Sequence, residues 1–197
     1  MVESLNKIKQ LGGALDMAIE SAALGPIVLR AEALYQMDVE SPVINRKALG
    51  HGDLVGGLSM VKGDFFKYVI GADITRLTNM MVSVQFIQER NLDYIDEQQT
   101  GHSEYGANLG RYTGDRAVLH LSNGLQKAEK NKHFISVFLS KPFGASGEHR
   151  WNNIAMYEEN GGLWNRLDAE YSIDDDTQAT IEMNRYWGDV NTQFGNI

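Results

Sequence analysis

Residues 163–189 read LWNRLDAEYSIDDDTQATIEMNRYWGD, and the fold turns on how this stretch is read. Two runs alternate apolar and polar residues around three consecutive aspartates. Leu167, Ala169, Tyr171 and Ile173 fall on one side of the first run, and Arg166, Asp168, Glu170 and Ser172 on the other. In the second run Ala179, Ile181 and Met183 oppose Thr180, Glu182 and Asn184. A period of two is the signature of a β-strand. The open question is which side meets water. In a soluble sandwich the apolar side is the core, whereas in an outer-membrane barrel it faces lipid and the charged side lines the interior.

The chain has 197 residues, enough for one domain with a substantial core. A formal net charge of -8 argues against nucleic-acid partners. Cysteine is absent, which removes disulfides, thiol catalysis and cysteine metal sites. No run reaches the apolar length of a transmembrane helix, so any crossing must be made by strands. The opening MVESLNKIKQ lacks the basic start and apolar stretch of a secretory leader. On the membrane reading this makes the chain a processed form or a fragment.

Eight long strands are expected, at 10–20, 27–37, 66–76, 80–90, 133–143, 149–158, 163–173 and 177–187. Most run to about ten or eleven residues, close to the length that spans a bilayer and longer than the usual soluble strand. The first is ambiguous, because Ile8, Leu11, Leu15, Ala18, Ile19 and Ala22 also fit a helical face. Two hairpins fix a register. With Leu77–Asn79 as a three-residue turn and Asn79 in the left-handed position, Ile74 meets Val82, Ala72 meets Val84 and Ile70 meets Phe86. Asp73 meets Ser83, Gly71 meets Gln85 and Lys67 meets Glu89 on the other face. With Asp174–Asp176 as the turn, Leu167 meets Met183, Ala169 meets Ile181 and Tyr171 meets Ala179. On the opposite face Glu170 meets Thr180, Arg166 meets Asn184 and Trp164 meets Tyr186. A one-residue slip would mix the faces in both hairpins. One like-charge pair, Asp168 opposite Glu182, is left with Arg166 as its diagonal relief.

The connections are unequal. Residues 77–79, 144–148, 159–162 and 174–176 are short, and residues 38–65 and 91–132 are expected as long loops on one side, each with a short helical piece. Barrels show this asymmetry. The stretch RAVLHLS (116–122) is read as loop, with a short helix following it, and GDLVGGLSMVKGDFFKY (52–68) as a helix or turn. Tyr35, Tyr68, Tyr157, Tyr171, Trp151 and Trp187 are expected near strand ends, as in an interfacial belt. The polar faces supply the lumen-lining candidates Arg30, Glu32, Lys67, Asp73, Glu89, Arg166, Asp168, Glu170 and Glu182, whose alternative role is a charge network bracing the sheet.

Three stretches carry a family likeness: GDFFKYVIGADITRLTNMMVSVQFIQERNLDYID (63–96), NGLQKAEKNKHFISVFLSKPFG (123–144) and RWNNIAMYEENGGLWNRLDAEYSIDDDTQATIEMNRYWGDVNTQFG (150–195). With VLRAEALYQMDVESPV (28–43), they resemble the C-terminal part of a family of large Gram-negative outer-membrane barrels, known only as domain of unknown function thirteen-oh-two. The resemblance implies an outer-membrane location, contact with lipid, and a channel or export-associated role, with hydrophobic or other small cargo and export-system proteins as partners. Members carry a leader, upstream strands and an aromatic-ended last strand. This chain departs from that pattern at MVESLNKIKQ and at FGNI, so the resemblance implies a C-terminal fragment of a larger barrel.

Catalytic and metal signatures do not assemble. No G-x-S-x-G, P-loop or dinucleotide glycine pattern occurs. His51, His102, His120, His133 and His149 lack metal-ligand spacing, and Asp174–Asp176 reads as a solvated turn rather than a calcium loop. Met37, Met80, Met81, Met156 and Met183 read as apolar filler. The expectation is therefore a single all-β domain over 1–197, an antiparallel up-and-down barrel or barrel segment. It has no enzymatic role, no cofactor and no metal, and it passes small or hydrophobic molecules through an outer membrane. The alternative is a soluble antiparallel β-barrel or sheet that binds an apolar ligand.

Overall fold

The computed structural model describes residues 6–76, 79–97, 110–115, 126–189 and 192–195. The chain is all-β and antiparallel. Its strands are β1 (Lys9–Ser21), β2 (Gly25–Asn45), β3 (Leu58–Arg76), β4 (Met80–Asn91), β5 (Arg111–Thr113), β6 (Asn131–Phe143), β7 (His149–Glu158), β8 (Leu163–Ser172) and β9 (Gln178–Trp187). Two short helices, α1 (Arg46–Gly50) and α2 (Leu54–Gly57), join β2 to β3. The sheet is an up-and-down meander in the order β1-β2-β3-β4-β6-β7-β8-β9, with β5 attached to β2. β1 and β9 stand at its two ends, so the sheet is an open segment.

The β8–β9 register is the one expected at every pair, including Asp168 opposite Glu182. Ile173 and Asp174 donate their amides to the Thr177 carbonyl, closing the three-aspartate turn. Asn79 takes φ 62°, the left-handed conformation that its amide side chain tolerates. Gly71 lies against Gln85, as that hairpin requires: a Cβ built on Gly71 would come within 2.9 Å of the Gln85 side chain. The ambiguous first segment is a strand.

The expected first long loop is corrected. Residues 38–65 are not a long loop, because β2 continues to Asn45 and β3 starts at Leu58. The alternation breaks at Asp38, which adopts φ 60° inside β2. Its amide donates to Asp64 Oδ1 at 3.3 Å, its carbonyl accepts from Asn6 Nδ2 at 2.6 Å, and Lys9 lies 3.4 Å from its carboxylate. Tyr35 donates to the other Asp64 oxygen at 2.5 Å, and the Asp64 amide donates to Asp93 at 2.7 Å. The strand passes through an irregular residue because side chains take up the backbone groups that this residue frees. The helical pieces are where the first connection was expected to carry them. Asn45 caps α1 through Ala48 N–H, and Asp53 caps α2 through Gly56 N–H. The helix expected in the second connection falls partly on 116–125, outside the described residues; Gln126–Lys130 is not helical.

The chain divides into two compact units, residues 1–12, 34–66 and 89–131, and residues 13–33, 67–88 and 132–197. The first is built on ordinary apolar burial. Ile44 is fully buried against Tyr112, with Leu49 of α1 packed on them and the Arg46 guanidinium over the Tyr112 ring at 5.3 Å. Val39, Val43 and Phe65 are also buried there. β5 pairs Val43–Asn45, and bonds from Thr113, Glu97 and Ala128 tie 95–97 and 126–128 to the same small sheet. The second unit follows the opposite rule. Among its described residues, Phe194 is the single buried apolar side chain, whereas Ser83, Ser136, Ser140, Glu158, Asp168 and Thr192 are buried.

Candidate functional site

The registers of β6 to β9 fix which side chains share a face. Directly opposed residues point the same way, so Ser140, Asn152, Asp168 and Glu182 form one row and Phe138, Ile154, Arg166 and Asn184 the next. This face holds the buried polar groups. The reverse face carries Ile135, Tyr157, Leu167, Tyr171, Ile181 and Met183, all exposed, with Ile181 at 73%. The same division holds on β3 and β4, where Ile70, Val84 and Phe86 are exposed and Ser83 is buried.

A chain of hydrogen bonds and ion-pair contacts crosses three strands on the polar face. Trp164 Nε1 donates to Asn184 Oδ1 at 3.1 Å, and Asn184 Nδ2 donates to Glu182 Oε1 at 2.5 Å. Arg166 Nη2 lies 2.9 Å from Glu182 Oε2, and its Nε lies 3.3 Å from Asp168 Oδ1, an ion-pair contact without hydrogen-bond alignment. Asn152 Nδ2 donates to Asp168 Oδ2 at 2.7 Å. Asp168 is only 5% exposed, so its charge needs this company. On the other strands Arg30 Nε sits 2.9 Å from Asp73 and 4.0 Å from Asp16, linking β1, β2 and β3.

The nine candidate residues therefore divide. Arg30 and Asp73 are brought together, as are Arg166, Asp168 and Glu182. Glu170 sits opposite Arg150 and accepts from Gln178 Nε2 at 3.3 Å. Glu32 is exposed on β2, while Lys67 on β3 and Glu89 on β4 are half-buried. Asn152, Asn184 and Trp164 were not among the candidates. The expected four-residue connection 159–162 would have put Asn152 opposite Ala169; the observed register pairs Tyr157 with Leu163, one residue further back, and so brings Asn152 opposite Asp168.

The exposed face also carries polar residues, among them Lys141 opposite Trp151 and Arg185 opposite Asn165. Asn153 and Asn165 are diagonal neighbours on β7 and β8. Asn165 Nδ2 donates to Asn153 Oδ1 at 3.2 Å, and Asn153 Nδ2 reaches Asn165 Oδ1 at 3.4 Å. Each amide also donates to a backbone carbonyl, Arg166 for Asn153 and Ile154 for Asn165. Aromatic residues flank the apolar stretch. Tyr157 and Trp187 share a row at one end, and Trp151 and Tyr171 lie toward the other, where Tyr171 stacks on His149 at 3.8 Å. Tyr35 and Tyr68 do not sit at strand ends as expected, because β2 and β3 extend past them.

At the Tyr157 end the chain after β9 returns to the polar face. Phe194 lies edge-on to Phe134 at 6.2 Å and tilted to Trp164 at 6.5 Å. The Gln193 amide donates to Glu158 Oε2 at 2.7 Å, and Glu158 is 4% exposed. Gly188, at φ 150°, allows the turn, since a Cβ there would strike Thr192 Oγ1 at 2.3 Å.

Asp174 Oδ1 accepts from the Asp176 amide at 3.0 Å. That bond, with a second from the Thr177 side chain, holds its carboxyl below the usual range. Among the described residues no three His, Asp or Glu side chains could hold a metal ion together, and no helix is long and apolar enough to cross a membrane. Comparison with protein-family models, with characterised proteins and with solved structures gave no match.

Proposed function

We propose that this chain is a membrane-embedded segment of an outer-membrane β-barrel, whose polar face lines a path for small or hydrophobic molecules. The observation that carries the reading is the burial in the second unit, where carboxylates and serines are covered and large apolar side chains are bare. A sheet in water gains by covering apolar surface, at roughly 25 cal/mol per Å², and large contiguous apolar patches on a soluble monomer are rare. In lipid the same face costs nothing. From Leu163 to Tyr171 the strand rises about 26 Å, or about 20 Å tall at a tilt of about 40°. That is comparable with the apolar band of about 25 Å between aromatic girdles. The mutual satisfaction of Asn153 and Asn165 fits a medium without water to bond to. The likeness to the outer-membrane family in residues 28–43, 63–96, 123–144 and 150–195 agrees with this reading.

Spin labels test it. Labels at Ala72, Val84, Ala169 and Ile181 are expected to be accessible to oxygen and shielded from aqueous relaxing agents, with labels at Asp73 and Glu170 reporting water. Apolar positions sealed from both reagents would instead favour a soluble β-protein with an apolar ligand site.

A further inference from the structure

We propose that Lys141 and Trp151 form a binding site for the phosphate of an anionic phospholipid on the exposed face of the sheet. The site presupposes the membrane reading and gives it a specific lipid. Charge is sorted unevenly between the two faces of β6 to β9. Every carboxylate of these strands, Glu158, Asp168, Glu170 and Glu182, lies on the polar face. The exposed face has none there, and its Lys and Arg residues are Lys141 on β6 and Arg185 on β9.

Lys141 is the informative cation, because its surroundings are complete. β6, β7 and β8 each have a strand on both sides. Lys141 lies opposite Trp151, and Trp151 lies opposite Ala169. One pleat repeat toward the turns, Phe143 pairs with His149, their ring centroids 5.1 Å apart, and His149 stacks on Tyr171. Among the described residues Lys141 has no ion-pair partner, and neither the Trp151 indole nor the Tyr171 hydroxyl donates a hydrogen bond. Glu148, the carboxylate of the adjoining turn, accepts from the Ser146 amide at 2.8 Å and lies 3.8 Å from His149 Nε2.

An unpaired ammonium on an apolar face is costly at the middle of a bilayer and tolerated near the headgroups. Lys141 sits about 7 Å of strand inside the Phe143–His149 row. A lysine stem covers that distance along apolar surface and delivers the ammonium to the level of the phosphates. The Trp151 indole offers a neutral N–H to the same oxygens. An anionic headgroup fits better than a zwitterionic one. The zwitterion brings its own ammonium beside the phosphate, and this face has no strand carboxylate to receive it.

Lipid-resolved quenching of Trp151 tests the site. The full-length chain carries Trp164→Phe and Trp187→Phe, which leave Trp151 as its sole tryptophan. It is reconstituted in vesicles of phosphatidylcholine and phosphatidylglycerol. Bromine is placed on the acyl chains of either the anionic or the zwitterionic lipid, at equal mole fraction. Circular dichroism verifies the sheet. If this background loses it, the same comparison is read as the difference between the parent chain and Lys141→Gln. Brominated phosphatidylglycerol is expected to quench as though bound about fivefold more tightly, the effect of one cation near an anionic surface. Lys141→Gln should abolish the preference and Lys141→Arg should retain it. Arg150→Gln, on the polar face, should leave it at the parent value. Equal quenching by the two lipids would overturn the inference while leaving the chain in the bilayer, and would point instead to an acidic protein surface as the counter-charge. A preference that survives Lys141→Gln, or falls as far in Arg150→Gln, would also overturn it. Absence of quenching by either lipid is a different result, since it removes the membrane reading itself and the lipid site with it.

Discussion

Asp168 and Glu182 stand directly opposite each other on β8 and β9, two carboxylates in one register position, and Arg166 contacts both. Removing the guanidinium leaves a buried carboxylate with one amide partner. Arg166→Ala is expected to destabilise the fold by about 3 kcal/mol, the lower end for a broken buried pair because Glu182 is partly exposed. In an Asp168→Asn background the same change should cost clearly less, since the charge to be compensated is gone. Urea unfolding in micelles, followed by tryptophan emission, measures both. Additive effects would sink the assignment of Arg166 as the shared counter-ion.

The Asn153–Asn165 pair predicts a different non-additivity. Either Asn→Ala change alone takes the side-chain partner from the other amide, which keeps its bond to a backbone carbonyl, and should cost about 1 kcal/mol. The double alanine variant removes both polar groups and should be at least as stable as either single variant. A double variant as weak as the sum of the singles would mean that the amides act separately.

Two groups in the first unit give the stability a pH profile. Hydrogen bonds from the Arg111 side chain, at 2.6 and 3.0 Å, hold the Glu97 carboxyl below its ordinary range. Its contribution is present above the unfolded glutamate value of about 4.3 and is lost as pH falls through the lower folded value. Tyr94 shifts the other way. Burial first, then the charges of Asp96 and Glu129, push its phenol from 10.0 up to about 12, and its hydroxyl donates to the Ala128 carbonyl. Between those values the folded chain keeps a proton that the unfolded chain has released, so stability should fall as pH rises through that window. Tyrosinate absorbance compared between the parent and Tyr94→Phe should show one late-titrating tyrosine. A difference spectrum centred on pH 10 would refute the environment described for Tyr94.

Ion preference separates accessible charges from engaged ones. If the polar face lines a conducting path, Glu32→Gln with Glu170→Gln should move the reversal potential toward anions, most clearly at low salt, where screening is weak. Asp168→Asn with Glu182→Gln should alter stability more than selectivity, because Arg166 and the flanking asparagines already hold those carboxylates. Neutralising Asp174, Asp175 and Asp176 in the β8–β9 turn should change selectivity least. Planar-bilayer recordings would decide it, and equal shifts from all three sets would contradict the ordering.

Much of this arrangement could be read from residues before any coordinates. The β8–β9 pairs follow from alternation and a three-residue turn, because every one-residue slip puts Ile181 or Leu167 on the charged side. Asn79 was legible for a similar reason, as the one residue of its turn that tolerates a positive φ. The extension of β2 was not legible. Alternation stops at Asp38, and Pro42 looks like punctuation, yet Pro42 uses its carbonyl to accept from Gly114 while Asp38 is held by Asp64, Asn6 and Lys9. Those partners of Asp38 are all 26 or more positions away along the chain. Gly63 likewise reads as loop, although its missing side chain serves close approach, since a Cβ there would lie 3.1 Å from that of Asp93. The charged network was half visible: the carboxylates and Arg166 stood out, but Asn152, Asn184 and Trp164 enter only once three strands are aligned.

The left-handed residue in β2 has a consequence for how the gene can drift. On the proposed membrane reading, the strand before Asp38 belongs to a sheet that should tolerate greasy substitutions on its bare side and polar ones on its covered side. After Asp38 the same strand runs into Val43 and Ile44, where covered positions must stay greasy. A library of all single substitutions, scored for folding, should show the sign of hydrophobic tolerance at covered sites reverse within a few codons. One strand thus evolves under two opposite grammars, with Asp38 as the punctuation between them.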